Sequence, residues 1–232
     1  MASEEDATAG TDLRSALVTG GTGRVGAAIA ARLANEGWSV LAAGRVDGDV
    51  SRPEEARALV ERAAAEHGRL DLVVNAAGGG FAPKSVEELG ERDWDAAFGA
   101  TAKGSFFVTQ AAAPHLRAAR GCVVMIEDVA AYQPWPSFAA HSAAKAAQAM
   151  LTRVLARALA PEVRVCGVAP GPVAVEPGQE ERRAAETLLG RVGSPDDVAA
   201  AVAYLAGAEF VTGTTLVVDG GRSLQTGFAR EP

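Results

Sequence analysis

Short apolar runs and longer amphipathic runs take turns along this chain. The apolar runs are SALVTG, SVLAAG, LDLVVNAA, CVVMIE, VRVCGV and TTLVVDGG. They are continuous rather than alternating, the pattern of strands buried on both faces. Between them apolar residues recur at helical spacing. RVGAAIAARLANEG predicts a helix ended by Gly37, and RPEEARALVERAAAEHG one opened by Pro53 and closed by Gly68. FAAHSAAKAAQAMLTRVLARALAP predicts a helix ended by Pro161, and PDDVAAAVAYLAG a shorter one. ERDWDAAFGATAKGSFFVTQAAAPHLRAA predicts a long helical region bent near Gly99 and Gly104. This alternation predicts an α/β fold, a doubly wound parallel sheet of Rossmann-like type with helices on both faces. Residues 1–11 are expected to form a disordered, solvated tail and residues 12–232 a single domain. The least regular long stretch, residues 169–194, would leave the carboxyl end of a strand, where such sheets bind ligands. It is a candidate substrate loop or a plain surface loop.

Composition narrows the classes. Hydrophobic residues are 48% of the 232 and charged residues 22%, enough for one sizeable core. A net charge of −7 argues against nucleic acid or an anionic membrane as the main partner. No apolar run reaches the roughly 18 residues of a spanning helix. The acidic start MASEEDATAG has no basic or apolar signal region, so a cytoplasmic location is expected. Cys122 and Cys166 each lie in an apolar run and are expected to be buried reduced thiols, and no metal-ligand spacing stands out.

The stretch VTGGTGRVG joins the first strand to the first helix. Gly20, Gly21 and Gly23 permit a tight turn and close backbone approach. The helix start then offers free N–H groups to a pyrophosphate. Arg24 adds a cation that either clasps a phosphate or lies on the surface. Arg45 follows the second strand, where the adenosine ribose of a dinucleotide sits. Arg suits a 2′-phosphate, which favours NADP(H) over NAD.

With TGGTGRVG, Asp49-Val50, NAAG at 75–78, HSAAK at 141–145, APGPV at 169–173 and VTGTTLVVDGG in this order, the chain resembles the short-chain dehydrogenase/reductases from about Ser15 to Leu224. It looks closest to their pteridine reductase-like branch, which has Arg at the place of Arg24, Asp at the place of Asp128, and an ending like VDGGRSL. The resemblance implies NADP(H) held by Thr19, Gly20, Gly21, Thr22, Gly23, Arg24 and Val25 in the first loop. Arg45, Asp49 and Val50, then Asn75, Ala76, Ala77 and Gly78, then Lys145, Pro170, Gly171 and Val173 would complete that site. It further implies a small carbonyl or C=N substrate, pterin-like, and a homo-oligomer (dimer or tetramer).

The family's active site is an Asn, a Ser, a Tyr and a Lys. Here the Asn position holds Thr101, the Ser position Asp128 and the Tyr position His141, and only Lys145 matches. In the family the Tyr hydroxyl gives a proton to the substrate oxygen, helped by the Lys cation, which also holds the nicotinamide ribose. Beside an imidazole the same cation works the other way, because it repels the imidazolium. A carboxylate at Asp128 would counter that repulsion. His141 precedes Lys145 by one helical turn, on one face. Tyr132 is a candidate replacement hydroxyl or a surface or core Tyr, and Glu127 should point away from Asp128 along the strand. His67 is expected to cap a helix end and His115 to lie at the surface. Trp135 and Phe138 would pack, or would stack on a flat ring.

One departure is architectural. Only Val46, Asp47 and Gly48 separate Arg45 from Asp49, where the family places a helix and a further parallel strand. A parallel crossover needs about a dozen residues. The sheet is therefore expected to be six-stranded, with one helix–strand edge unit missing after the second strand and NADP(H) binding weakened. Three functions stay open. The first is an NADP-linked reductase in which His141 donates the proton. The second is an inactive subunit of this fold paired with an active homologue. The third is a cofactor-independent acid–base enzyme using Asp128 and His141.

Overall fold

The computed structural model describes residues 13–79 and 81–225, and the expected tail at 1–11 lies outside them. Six strands form one parallel sheet: β1 (Ser15–Thr19), β2 (Ser39–Ala43), β3 (Leu72–Asn75), β4 (Cys122–Ile126), β5 (Arg164–Pro170) and β6 (Thr215–Val218). Their order is β2-β1-β3-β4-β5-β6. β1, β3 and β4 are buried at every position, as continuous apolar runs require. Helices α1 (Arg24–Asn35) and α7 (Pro195–Gly207) cover one face with Ile29, Leu33, Val198 and Val202. Helices α2 (Pro53–His67), α4 (Gly104–Ala119) and α5 (Ala139–Leu159) cover the other with Leu59, Val60, Val108, Leu116 and Leu155. Two short helices, α3 (Glu91–Phe98) and α6 (Glu180–Ala185), lie in the segments that follow β3 and β5. Among the described residues no helix is long and apolar enough to cross a membrane.

The missing edge unit has a local cause. Residues 44–52 carry β2 directly into α2, in a turn held by Asp47, whose carboxylate accepts from Gly44 N at 2.9 Å and from Arg62 at 3.1 Å. Asp49 follows, accepting from Ser51 N at 3.0 Å while its own N–H donates to Glu55 at 2.7 Å. Short acidic side chains bonding their own backbone replace the absent helix and strand. β2 is left as the sheet edge.

One helix expectation changes and another gains detail. The end of α2 is capped by Gly68 at φ 70°, while His67 instead bonds Ser39 Oγ at 3.0 Å and ties the helix to β2. The long region at 91–119 is helical throughout, as expected, and its irregularity at Gly99–Lys103 is a π turn that joins α3 to α4 and carries Thr101 into the interior. Extra residues in a helix turn of this kind often mark functional sites. Cys122 and Cys166 are buried free thiols, as expected.

Candidate active site

The crossovers diverge between β1 and β3, and the carboxyl ends of those strands open there into a cavity of about 420 Å³. Gly20 makes its floor possible. Its φ is +66°, and a Cβ there would lie 2.7 Å from Ala76 O, so only glycine lets the two loops meet. Gly20, Thr22, Gly23, Arg45, Asp49, Val50, Ala76, Ala77 and Gly78 all line this cavity. Gly21 N donates to Ala43 O at 2.9 Å, and Gly23 caps the start of α1. Thr19 is buried, and its hydroxyl accepts from Ala77 N at 3.3 Å, locking the two loops. Val25 packs into the core beneath. Arg45 stands over the mouth, its side chain 87% exposed, paired with Asp49 at 3.1 Å. The residues that would hold the adenosine end of a dinucleotide are thus brought together.

Other expected cofactor residues have different engagements. Arg24 reaches across the opening to Val175 O at 3.3 Å and Glu176 at 2.8 Å. It is committed to the 169–194 loop rather than to the first cavity. Arg24, Gly171 and Val173 line a second cavity of about 410 Å³ with Trp135, Phe138 and Arg222. Pro170 ends β5, and Gly171 N donates to Val218 O at 3.0 Å. Asn75 is buried at the end of β3, donating to Thr109 at 3.1 Å, with its Oδ1 unpartnered.

A polar stripe on α5 organises the chemistry. His141, Lys145, Gln148 and Thr152 recur at helical spacing, and all four are buried. His141 Nε2 lies 3.3 Å from Asp128 Oδ2. Asp128 Oδ1 accepts from Ala130 N at 2.8 Å, because Asp128 caps the short 3-10 turn Val129–Ala131. The carboxylate is therefore oriented before it meets the imidazole. The edge of Phe81 meets the His141 ring, centroids 4.8 Å apart, and Phe81 stacks on Phe138. Lys145 Nζ donates to Ile126 O at 2.6 Å and to Gln148 Oε1 at 3.0 Å. Burial pushes its pKa down to about 8, against the opposing pull of Asp128 and Glu127. Thr101 is buried with its hydroxyl unpartnered.

Glu127 faces away from Asp128, as strand alternation requires. Its buried carboxylate accepts from Tyr132 at 2.7 Å, Thr152 at 2.7 Å and Thr215 at 3.0 Å. Tyr132 is thus spent on Glu127. Burial first, then Glu127, raises its phenol to about 12, which makes it a poorer acid. His115 is partly exposed beside Glu61. Gln148 was missed in the sequence, though its position three residues after Lys145 on the same face is the signal that finds it.

The family model described as "Enoyl-(Acyl carrier protein) reductase" matches residues 24–223. A 3beta-hydroxysteroid dehydrogenase 1 of Eggerthella lenta is 36% identical over 93% of this chain and 95% of its own length. The Dehydrogenase/reductase SDR family member 4 of Caenorhabditis elegans is 30% identical, covering 89% of this chain and 94% of that protein. The structure of 3-ketoacyl-(acyl-carrier-protein) reductase from Brucella melitensis complexed with NADH superposes with a TM-score of 0.84 at 28% identity, covering 90% of this chain and 98% of that one. With the sheet order, the glycine loop and the α5 stripe in place, these matches establish that the chain belongs to the short-chain dehydrogenase/reductase family of oxidoreductases.

Proposed function

We propose that this protein reduces a carbonyl or C=N bond with NADPH, and that His141, backed by Asp128, delivers the proton. The observation that carries the reading is the 3.3 Å contact between His141 Nε2 and Asp128 Oδ2. The cofactor fits the residues present. Gly20 lets the β1 and β3 loops close on each other to floor the cleft, and Arg45 is an exposed guanidinium at the ribose end. Bound NADPH would supply the hydride. Arg45 would pair with the 2′-phosphate after exchanging Asp49 for it. Asp128 accepts from the ring at Nε2 and stabilises the imidazolium against the Lys145 ammonium, and the imidazolium is the acid that protonates the substrate oxygen or nitrogen. Trp135, with Arg222 4.7 Å from its ring centroid, and Phe138 offer flat apolar walls suited to a pterin-like ring. That substrate class and the pteridine reductase-like assignment rest on these walls and on Arg24 and Asp128. A homo-oligomer, or pairing with a homologue, belongs to the same proposal.

Arg45→Ala is expected to weaken NADPH binding about tenfold and NADH binding little, since only one of the two carries the phosphate. Calorimetric titration with both nucleotides reads this directly. An equal loss for both would remove the NADP preference.

Lys145 adds a pH signature. Below about 8 it keeps its charge, and as pH rises through about 8 the ammonium is lost. NADPH affinity should therefore fall between pH 7 and 9, and Lys145→Met should flatten that dependence. The fall would not be unfolding on this group's account. Its folded pKa lies below the ordinary 10.5, so the unfolded chain binds the extra proton and this group's contribution to stability rises as pH goes from about 8 towards 10.5.

The inward bonds of Lys145 favour one second reading, a subunit of this fold that binds nucleotide without redox turnover. NADPH binding with no loss of reduced nicotinamide across a panel of aldehydes, ketones and dihydropterins would select it.

A further inference from the structure

The second cavity, of about 410 Å³, has an aromatic wall and a basic one. Ring contacts run in a row from the proton donor. His141 meets Phe81, Phe81 stacks on Phe138, and Phe138 meets Trp135 with centroids 5.9 Å apart. At the other end of the row the Arg222 guanidinium lies over the Trp135 ring, 4.7 Å from its centroid. Arg24, Arg183 and Arg222 line the same cavity, in a chain whose net charge is −7. Arg24 is matched one to one by Glu176 at 2.8 Å. The other two are not. Glu186, at the end of α6, is a single carboxylate shared by Arg182 at 3.4 Å, Arg183 at 3.0 Å and Arg222 at 3.0 Å. Glu180 and Glu181 on α6 are exposed and do not line the cavity. One negative charge thus faces three positive ones. The Arg183 and Arg222 side chains are only 29% and 18% exposed, so solvent screens the surplus incompletely.

Arg222 also has donors to spare. Glu186 accepts from its Nε at 3.0 Å, and Trp135 takes the face of the guanidinium. Its Nη1 and Nη2 have no hydrogen-bond partner among the described residues. A guanidinium stacked on a ring keeps its N–H groups in its own plane, free to meet a carboxylate edge-on. We infer that this cavity takes a substrate whose flat ring carries an anionic group, a carboxylate in the simplest case, with the ring along the Phe138–Trp135 wall and the anion on the free edge of Arg222. The inference rests on the reading above that this cavity receives the substrate, and it adds what that substrate must carry. Trp135 offers the same apolar face to any flat ring. Arg222 distinguishes among such rings, because an acid gains charge-assisted bonds and offsets the surplus charge, while a neutral ring leaves the fork to water. Glu186 holds Arg222 in place and also competes with the incoming anion for its charge.

The test needs no turnover. Calorimetric titration compares 2-naphthoate with 2-naphthamide, a neutral ring of the same shape. The unmodified protein should bind the acid about tenfold more tightly or better, the discrimination that charge-assisted hydrogen bonds give. Arg222→Gln should weaken the acid about tenfold and leave the amide within about twofold. Glu186→Gln keeps an acceptor for Arg222 and Arg183 and removes the competing charge, so it should tighten the acid about threefold. Damage to the loop would weaken the acid instead, and that result counts against the inference. No binding of 2-naphthoate at millimolar concentration, equal binding of acid and amide, or equal loss of both in Arg222→Gln overturns it. An NADPH affinity lowered about tenfold by Arg222→Gln would assign the fork to a nucleotide phosphate and overturn it too. Turnover separates the anion site from the functional reading. The unmodified protein should reduce 6-formyl-2-naphthoate with a higher kcat/KM than 2-naphthaldehyde, and Arg222→Gln should lose that preference. If neither aldehyde oxidises NADPH while the acid binds through Arg222, the reductase reading has failed and the anion site stands.

Discussion

Replacing His141 with Ala is expected to lower NADPH-linked carbonyl reduction by about 10²- to 10⁴-fold, the contribution of a positioned general acid. NADPH affinity should stay within about twofold, because His141 does not line the nucleotide cleft, which is walled by the glycine loop, Arg45 and Ala76–Gly78. His141→Tyr should keep activity or raise it. A phenol beside the Lys145 ammonium becomes more acidic, whereas an imidazole there depends on Asp128 to remain protonated. Asp128→Asn should therefore impair the wild type more than it impairs the Tyr variant. Rates and nucleotide affinities of the four proteins measure this. Equal loss in both backgrounds would show that Asp128 supports the loop through Ala130 rather than the ring.

The second large effect is expected at Gly20. Gly20→Ala places a Cβ 2.7 Å from Ala76 O and 2.8 Å from Ala77 N, in a left-handed conformation with φ +66°. Left-handed strain of about 1–2 kcal/mol and overpacking of about 1–3 kcal/mol add, and at this chain length each kcal/mol moves Tm by roughly 2–4 °C. A drop of roughly 4–20 °C is expected, together with loss of detectable NADPH binding. Gly37→Ala is the control. It shares a positive φ, +82°, but its Cβ would meet nothing within 4 Å, so only the strain remains. Thermal melts of both variants, with and without NADPH, separate the two costs. Similar melts would mean that the β1 and β3 loops yield, and that the close approach is not what shapes the cleft.

The sheet was legible because its determinants are local. Unbroken apolar runs need two covered faces, and three residues between Arg45 and Asp49 cannot make a crossover whatever surrounds them. The Asp128–His141 contact was legible for a similar reason. A strand end and a helix start fix where two side chains emerge, and both are short. Long side chains were not legible. Arg24 had a phosphate and the surface as candidates and lies at the surface, but its partner there, Glu176, is far away in sequence. The inward partners of Lys145, Ile126 O and Gln148, were likewise not legible. Such choices are made by tertiary partners after the backbone is set. The π turn at Gly99–Lys103 is a similar case, since helix periodicity looks much the same on either side of it. His67 was misread because Gly68 can supply the left-handed cap by itself, leaving the ring free for Ser39.

The most direct measurement is of the unmodified protein: NADPH titrated calorimetrically, then reduced-nicotinamide absorbance followed with aldehydes, ketones and dihydropterins. NADPH should bind more tightly than NADH, and at least one substrate should be reduced. No heat, no shift in melting temperature at millimolar NADPH and no oxidation would contradict the account and leave a family member that has kept the sheet and lost the chemistry.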